Sequence, residues 1–500
     1  MKRAGIVLLI ISFILMSFVI PDKTARAATL PDENGYDLWL RYPSVTVAAL
    51  LAKYRQKVTE YVVEGSTDIS GSIRKELNRG LSGLLGQPLT ESASITQDGA
   101  IVVGALQNSP LISSLGWDEE LQTLGHDGFM IRSATLSGHA VTVIASASDQ
   151  GALYGTYQLL SRIQRYQSID NLNISDKPAH EFRMLNHWDN WSGSIERGYA
   201  GSSIWNWSEL PETVSPRYED YARANASIGI NGAVLNNVNA SYDFIDSKNL
   251  PKIAAIADVL RKYGIRVYLS IRFDSPILSG ALSTADPMDP QVIQWWHSKI
   301  DEIYSYIPDF GGFSVKGDSE GQPGPLKYGR THAQGANMLA DILQEHNGMV
   351  IWRAFVYGVS GLSSDRTKQA YEVFKPLDGQ FADNVILQAK EGPLDFQIRE
   401  PLIPVIGGMP NTNTGLELQI TQEYTGQSTD LCWLIPMWKE VFNFDTKALG
   451  AGSTVEKVIN GSLFNHKHSM VAGVSNIGAS TNWTGQPLGQ ANWYGYGRLA

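Results

Sequence analysis

Apolar positions run almost unbroken over residues 5–20 and then settle into two different rhythms. From residue 28 to about 178, strand-like runs (IVVGALQ, GFMIRSAT, HAVTVIASA) alternate with helix-like ones, SVTVAALLAKYRQKVTEYVV and the segment after Asp149. Residues 151–163 carry an apolar stripe at helical spacing. This mixture predicts a small α/β domain, a sheet with covering helices. Its residues bring no acid, base and nucleophile together.

From about Phe182 the rhythm becomes strand, loop, helix, repeated. The candidate strands are FRMLNHWDN, INGAVLNNVN, IRVYLSIRF, GGFSVKGD, MVIWRAFVYG, NVILQAKEG, LELQITQEY and SMVAGVSNIG. Amphipathic helices lie between several of them. One places Ile253, Ile256, Leu260 and Tyr263 on a single stripe and stops before Gly264, a suitable residue just past a helix end. Another opens on Asp289 and Pro290 as cap and first helical residue, with Val292, Trp296, Ile300, Ile303 and Ile307 as its apolar face. Eight such units over roughly 300 residues predict a (β/α)8 barrel. A doubly wound open sheet is the alternative, but no GxGxxG follows a strand.

In a barrel, chemistry collects at the C-terminal ends of the strands. The fourth candidate strand ends in GGFSVKGDSEGQPGP, with Lys316, Asp318 and Glu320 at every second position before a Gly/Pro cluster. Period-two spacing predicts that all three point to one face. The first strand ends in Asn186, His187, Trp188 and Asp189, the second in Asn236 to Asn239, and the third in Arg272 and Asp274. The fifth carries Arg353, the sixth Lys390 followed by Asp395, and the seventh Gln419, Thr421 and Glu423 at same-face spacing. Carboxylates beside cations fit acid–base work on an anionic ligand, and glycoside hydrolysis needs such a carboxyl pair. A solvated, charged strand end and a metal site of Asp318, Glu320 and His332 are rival readings. Neighbouring Lys and Arg would compete with a metal, and no HExxH is present.

Composition narrows this further. With 43% hydrophobic and 18% charged residues, the 500-residue chain reads as globular, with two or three domains. Its 13 Trp and 21 Tyr provide flat aromatic faces of the kind that cover pyranose rings. Lys2 and Arg3, the apolar run and Ala25-Arg26-Ala27 predict a signal peptide over residues 1–27, hence a secreted protein. An uncleaved anchor is the alternative. Cleavage would remove four positive charges and one negative, taking the net charge from −10 to −13. Such an acidic protein is a poor partner for nucleic acid or, once the signal is removed, for membranes. The lone Cys432, in the apolar run LCWLIPMW, reads as an inert thiol. Residues 481–500 are Gly- and Trp-rich, show no terminal element, and read as the beginning of a C-terminal helical domain that is mostly missing.

Four stretches carry a resemblance to a known family. NHWDNWSGSIERGYAG (186–201), KGDSEGQPGPLKYGRTHAQGANMLA (316–340), NVILQAKEGPLDFQIREP (384–401) and GLELQITQEYTGQ (415–427) closely resemble glycoside hydrolase family 67, the α-glucuronidases. The resemblance implies an N-terminal α/β domain (28–178), a catalytic barrel (179–480) and a helical C-terminal domain associated with dimerisation. A homodimer is therefore expected of the full-length family member. It also implies an inverting hydrolase that removes (4-O-methyl-)D-glucuronic acid, α-1,2-linked to the terminal non-reducing xylose of xylooligosaccharides, without metal or cofactor. Carried over by motif, Glu320 would be the general acid, and Asp395 and Glu423 would position and deprotonate the water. Lys316, Arg353 and Lys390 would meet the uronate carboxylate, and Trp188 and Val238 would line the 4-O-methyl pocket. A secreted protein that binds uronate-bearing oligosaccharides without cleaving them shares the cation and Trp pocket and is the alternative.

Overall fold

The computed structural model describes residues 33–356 and 363–500. The expected signal peptide and the last residues of the MVIWRAFVYG stretch lie outside the described residues. Gly35–Ala500 form one compact unit.

Its first part is a mixed sheet of β1 (Glu60–Val63), β2 (Ala100–Ala105), β3 (Phe129–Leu136), β4 (His139–Ser146) and β5 (Asn173–Asp176), in the order β1-β2-β4-β3-β5. Side chains alternate between two cores, as a period of two requires. Ile101, Val103 and Ile144 join the main core, whereas Ala100, Val102 and Val143 pack with Ile112 and Leu121 on the other face. The β3–β4 hairpin turns on Ser137 and Gly138, both at positive φ (52° and 85°), which matches the twist of the flanking strands. The helix Asp149–Gln164 forms as its stripe predicts, capped by the Ser148 side chain. The expectation of one helix over SVTVAALLAKYRQKVTEYVV is corrected. A helix spans Ala48–Lys57, and the β-branched and aromatic tail EYVV instead pairs in parallel with Ala100–Val103 as β1.

The second part is a closed parallel barrel of β6 (Phe182–Asn186), β7 (Gly232–Val234), β8 (Arg266–Ile271), β9 (Gly312–Val315), β10 (Met349–Arg353), β11 (Val385–Lys390), β12 (Thr414–Gln419) and β13 (Met470–Val474). Each strand pairs with the next, and β13 pairs back onto β6. All eight candidate strands are thus present. The helices Leu250–Arg261 and Pro290–Tyr306 bury the predicted stripes, and the Asp289 side chain accepts the Gln291 N–H as cap.

Inside the barrel the side chains stack in layers. Met184, Val234, Tyr268, Ile351, Ile386 and Met470 form an apolar plug. Above it, two residues on along the strands, lie Asn186, Gln388, Glu417 and Arg353. Asn186 donates to Glu417 at 3.0 Å, and Arg353 donates to the other Glu417 oxygen at 2.6 Å. A fully buried Glu in a strand is costly unless it is paired, and this one is.

The reading of residues 481–500 as lacking a terminal element is corrected. Pro487–Leu499 is a helix following the eighth strand, with Trp493 and Tyr496 buried. The Tyr496 hydroxyl donates to the carbonyls of Met184 (2.6 Å) and Val471 (3.1 Å), tying the first barrel strand to the last.

Candidate active site

The barrel mouth gathers residues from the strand ends of β6, β7 and β9 to β13. β9 stops at Val315, so the expected alternation of Lys316, Asp318 and Glu320 along a strand is corrected. The chain turns through left-handed backbone at Asp318 (φ 53°) and Glu320 (φ 50°), and the three side chains part company. Asp318 turns into the loop, where its carboxylate accepts the Leu326 N–H at 3.0 Å; Gly324 leaves it room, since a Cβ there would lie 2.4 Å from Oδ2. Burial pushes Asp318 upward against its backbone hydrogen bonds. His332 stands 3.8 Å from it, and burial pushes that imidazole down to about 3, which keeps it neutral. Glu320 turns instead to Lys316. Among the described residues no three of His, Cys, Asp and Glu converge as metal ligands.

Lys316 is buried and donates to the Asn239 side-chain oxygen Oδ1 and, at 2.6 Å, to Glu320 Oε2. Burial alone would raise Glu320, but the hydrogen bond and charge of Lys316, with the charges of Lys390 and Arg353, hold it below its usual value. Burial also lowers Lys316, against the pull of Glu320.

At and past the ends of β11 and β12, Lys390 donates to Asp395 Oδ1 at 2.5 Å, and the Tyr424 hydroxyl donates to Asp395 Oδ2 at 2.7 Å. The Lys390 ammonium lies 3.5 Å from the Phe355 ring centroid and 4.7 Å from that of Phe396, faces that favour a cation. Burial and the Arg353 charge lower Lys390, against the pull of Asp395. Glu423 lies past the end of β12, where Gln419 donates to one oxygen at 3.1 Å and Arg197 pairs with the other at 2.6 Å. Thr421 does not share their face: its hydroxyl donates to the Arg197 carbonyl, bracing the loop.

Trp188 and Val238 come together in a small apolar cluster with Phe396, Val474 and Tyr424. Other strand-end residues stay apart. Arg272 and Asp274 pair with each other at 2.8 Å, and the buried His187 meets the Tyr221 hydroxyl at 2.7 Å.

Sequence reasoning missed Glu417, Phe396, Tyr424, Asn239 as the partner of Lys316, and Arg197. For Glu417 a signal existed, a carboxylate at interior spacing within LELQ. The aromatic contacts had none, because they depend on how separate loops fold over one another.

A (β/α)8 barrel with carboxylates and cations collected at its C-terminal mouth has the layout of a barrel enzyme. Residues 162–483 match the Glycosyl hydrolase family 67 middle domain and residues 38–159 the Glycosyl hydrolase family 67 N-terminus. The chain belongs to that family. It is 41% identical over 477 residues to a probable alpha-glucuronidase A of Neosartorya fischeri, covering 94% of this chain and 56% of that one. It is 39% identical over 484 residues to an alpha-glucuronidase of Hypocrea jecorina, again covering 94% and 56%. The chain thus spans little more than half the length of these relatives. A solved GH138 enzyme targeting pectin rhamnogalacturonan II shares the fold at a TM-score of 0.52 and 14% identity, covering 87% of this chain and 51% of its own.

Proposed function

We propose that this chain carries the catalytic barrel of a secreted α-glucuronidase. It hydrolyses the α-1,2 bond between (4-O-methyl-)D-glucuronic acid and the terminal xylose of xylooligosaccharides, with inversion, in xylan degradation. The observation that carries the reading is the pairing at the mouth. Lys316 holds Glu320 and Lys390 holds Asp395, so cations suited to a uronate are bonded to the carboxylates suited to the chemistry.

In this mechanism the substrate carboxylate enters among Lys316, Arg353 and Lys390, bidentately on Arg and as a point-charge contact on each Lys. Engaging Lys316 removes the strongest pull that keeps Glu320 ionised. Glu320 then rises, takes a proton, and delivers it to the departing xylose oxygen. Asp395 and Glu423 hold and deprotonate water on the opposite face, and the water oxygen bonds to the anomeric carbon as the glycosidic bond breaks. Glu320 follows the fourth barrel strand, whereas Asp395 and Glu423 follow the sixth and seventh, an arrangement that supports this division between acid and base. Trp188 and Val238, with Phe396 and Tyr424, offer an apolar wall to a 4-O-methyl group. The full-length protein would act as a homodimer.

The test is proton NMR of the protein acting on aldotriouronic acid. β-Glucuronic acid appearing first is expected. Initial α-glucuronic acid would overturn the water-activating roles of Asp395 and Glu423, and binding without product would favour a non-catalytic uronate-binding protein.

A further inference from the structure

The loop that carries Asp395 is folded around a second pair of carboxyl groups outside the set described above. Consecutive residues at a strand end point to opposite sides. Lys390 faces the mouth, and Glu391 turns behind it into the protein, with Oε2 buried and, among the described residues, without a hydrogen-bond partner. Ten residues on from Lys390, Glu400 reaches back into the same loop. Its Oε2 accepts the Leu394 N–H at 2.7 Å, and its Oε1 accepts the N–H groups of Asp395 at 2.9 Å and Gln397 at 3.1 Å. Three backbone donors converging on one carboxylate fix the local path of the chain, and Asp395 is in the middle of it. Gly392 makes room: a Cβ there would lie 2.2 Å from Glu400 Oε2.

We propose that Glu400 is a positioning residue for Asp395, folding the loop after β11 so that the Asp395 carboxylate meets Lys390 and Tyr424, and that a charge on Glu391 beneath it would loosen this loop. The role in turnover rests on the functional reading above; the loop arrangement does not.

Two further observations support it. The Lys390 and Tyr424 contacts hold only the tip of Asp395, so the backbone must be set by something else, and Glu400 is bonded to its amide. Glu400 is also the charged group that acts on Glu391. Burial and that neighbouring negative charge push Glu391 up to about 8, so it is neutral in the neutral range and ionises at mildly alkaline pH. An ionised Glu391 would repel the Glu400 carboxylate, and the segment that would respond is the loop that Glu400 gathers through its backbone hydrogen bonds.

The experiment combines kinetics with hydrogen exchange of the peptide covering residues 391–400 in the intact protein. A Gln at 400 keeps the shape but replaces one acceptor with a donor. In E400Q and G392A, exchange of the loop amides should rise. On aldotriouronic acid, kcat should fall about 10- to 100-fold, the scale of a misplaced catalytic group, while KM changes less than about threefold. In the wild-type protein, loop protection, corrected for intrinsic exchange, should drop as pH passes about 8; in E391Q that drop should vanish. Unchanged loop exchange in both E400Q and G392A, or an unaltered pH response in E391Q, would overturn the proposal. So would a loosened loop with wild-type kcat. A wild-type protein that does not turn over substrate, but whose loop loosens in E400Q and with pH as described, would support the arrangement and count against the functional reading instead.

Discussion

At the scale of single residues, Glu320 carries the sharpest expectation. It is half-exposed and bonded to Lys316, so Glu320→Gln removes a charge without opening the fold. Turnover of aldotriouronic acid should fall by at least about 10²-fold, the usual worth of general-acid catalysis, with substrate affinity retained in calorimetry. Wild-type-like turnover would remove Glu320 from the mechanism. Arg353 is a different case. Its partner Glu417 is fully buried and, among the described residues, its carboxylate otherwise accepts from the Asn186 side-chain amide, so Arg353→Ala strands a carboxylate in the barrel. Beyond a raised KM, it should cost about 3–5 kcal/mol of stability, the usual penalty for breaking a buried pair. R353M/E417Q should recover most of that stability but not the KM. Equal melting temperatures for R353A and wild type would show the pair to be energetically idle.

At the scale of elements, the last barrel helix sets tertiary packing against propensity. Gly489, Gly495 and Gly497 interrupt Pro487–Leu499, and each costs a helix about 1 kcal/mol relative to Ala. A Cβ on Gly497 would sit 2.5 Å from Ile228 Cδ1, and one on Gly495 would sit 2.3 Å from Ile435 Cδ1. The glycines let the helix press against its neighbours. Gly497→Ala should therefore destabilise by about 1–3 kcal/mol through overpacking, although it improves intrinsic helicity; a stabilised variant in urea titration would refute this. The same glycines explain why this element was not legible from the sequence, whereas the eight strands were. Strands such as VILQAK announce themselves by composition, but a Gly-rich helix is specified by partners far away in the chain. The EYVV strand was misread for a related reason, because its identity comes from pairing with Ala100–Val103. The site divides in the same way. The charged residues at strand ends are readable as a set, but the alternation of Lys316, Asp318 and Glu320 in the sequence is broken in the fold by two left-handed residues, Asp318 and Glu320, and Asp318 leaves the set. The roles of Phe355, Phe396 and Tyr424 required the folded loops.

At the scale of the whole molecule, the N-terminal sheet and the barrel share a charged seam as well as a core. Glu76, on the helix Asp68–Leu85, accepts Arg223 Nε at 2.6 Å and Nη2 at 2.9 Å, and the Tyr42 hydroxyl at 2.6 Å. Arg223 belongs to Pro216–Ser227, the first barrel helix, and both charged groups are buried. Ser72 and Gln150 add hydrogen bonds to the carbonyls of Lys262 and Tyr263 at the end of the second barrel helix. A seam of this kind couples the two parts, so a single thermal transition is expected, with far-UV circular dichroism and tryptophan fluorescence coinciding. Removing one partner should uncouple them. Arg223→Ala leaves the Glu76 carboxylate buried and uncompensated, at a cost of about 3–5 kcal/mol. The sheet reports mainly through circular dichroism, whereas Trp205, Trp296, Trp352 and Trp438 lie buried in the barrel part. In R223A the circular-dichroism transition should therefore begin at lower temperature than the fluorescence transition. The double change R223M/E76Q, which neutralises both groups, should bring the two curves back together. If R223A instead melts in one coincident transition at the wild-type temperature, the seam is not what joins the sheet to the barrel, and the shared apolar core must do so alone.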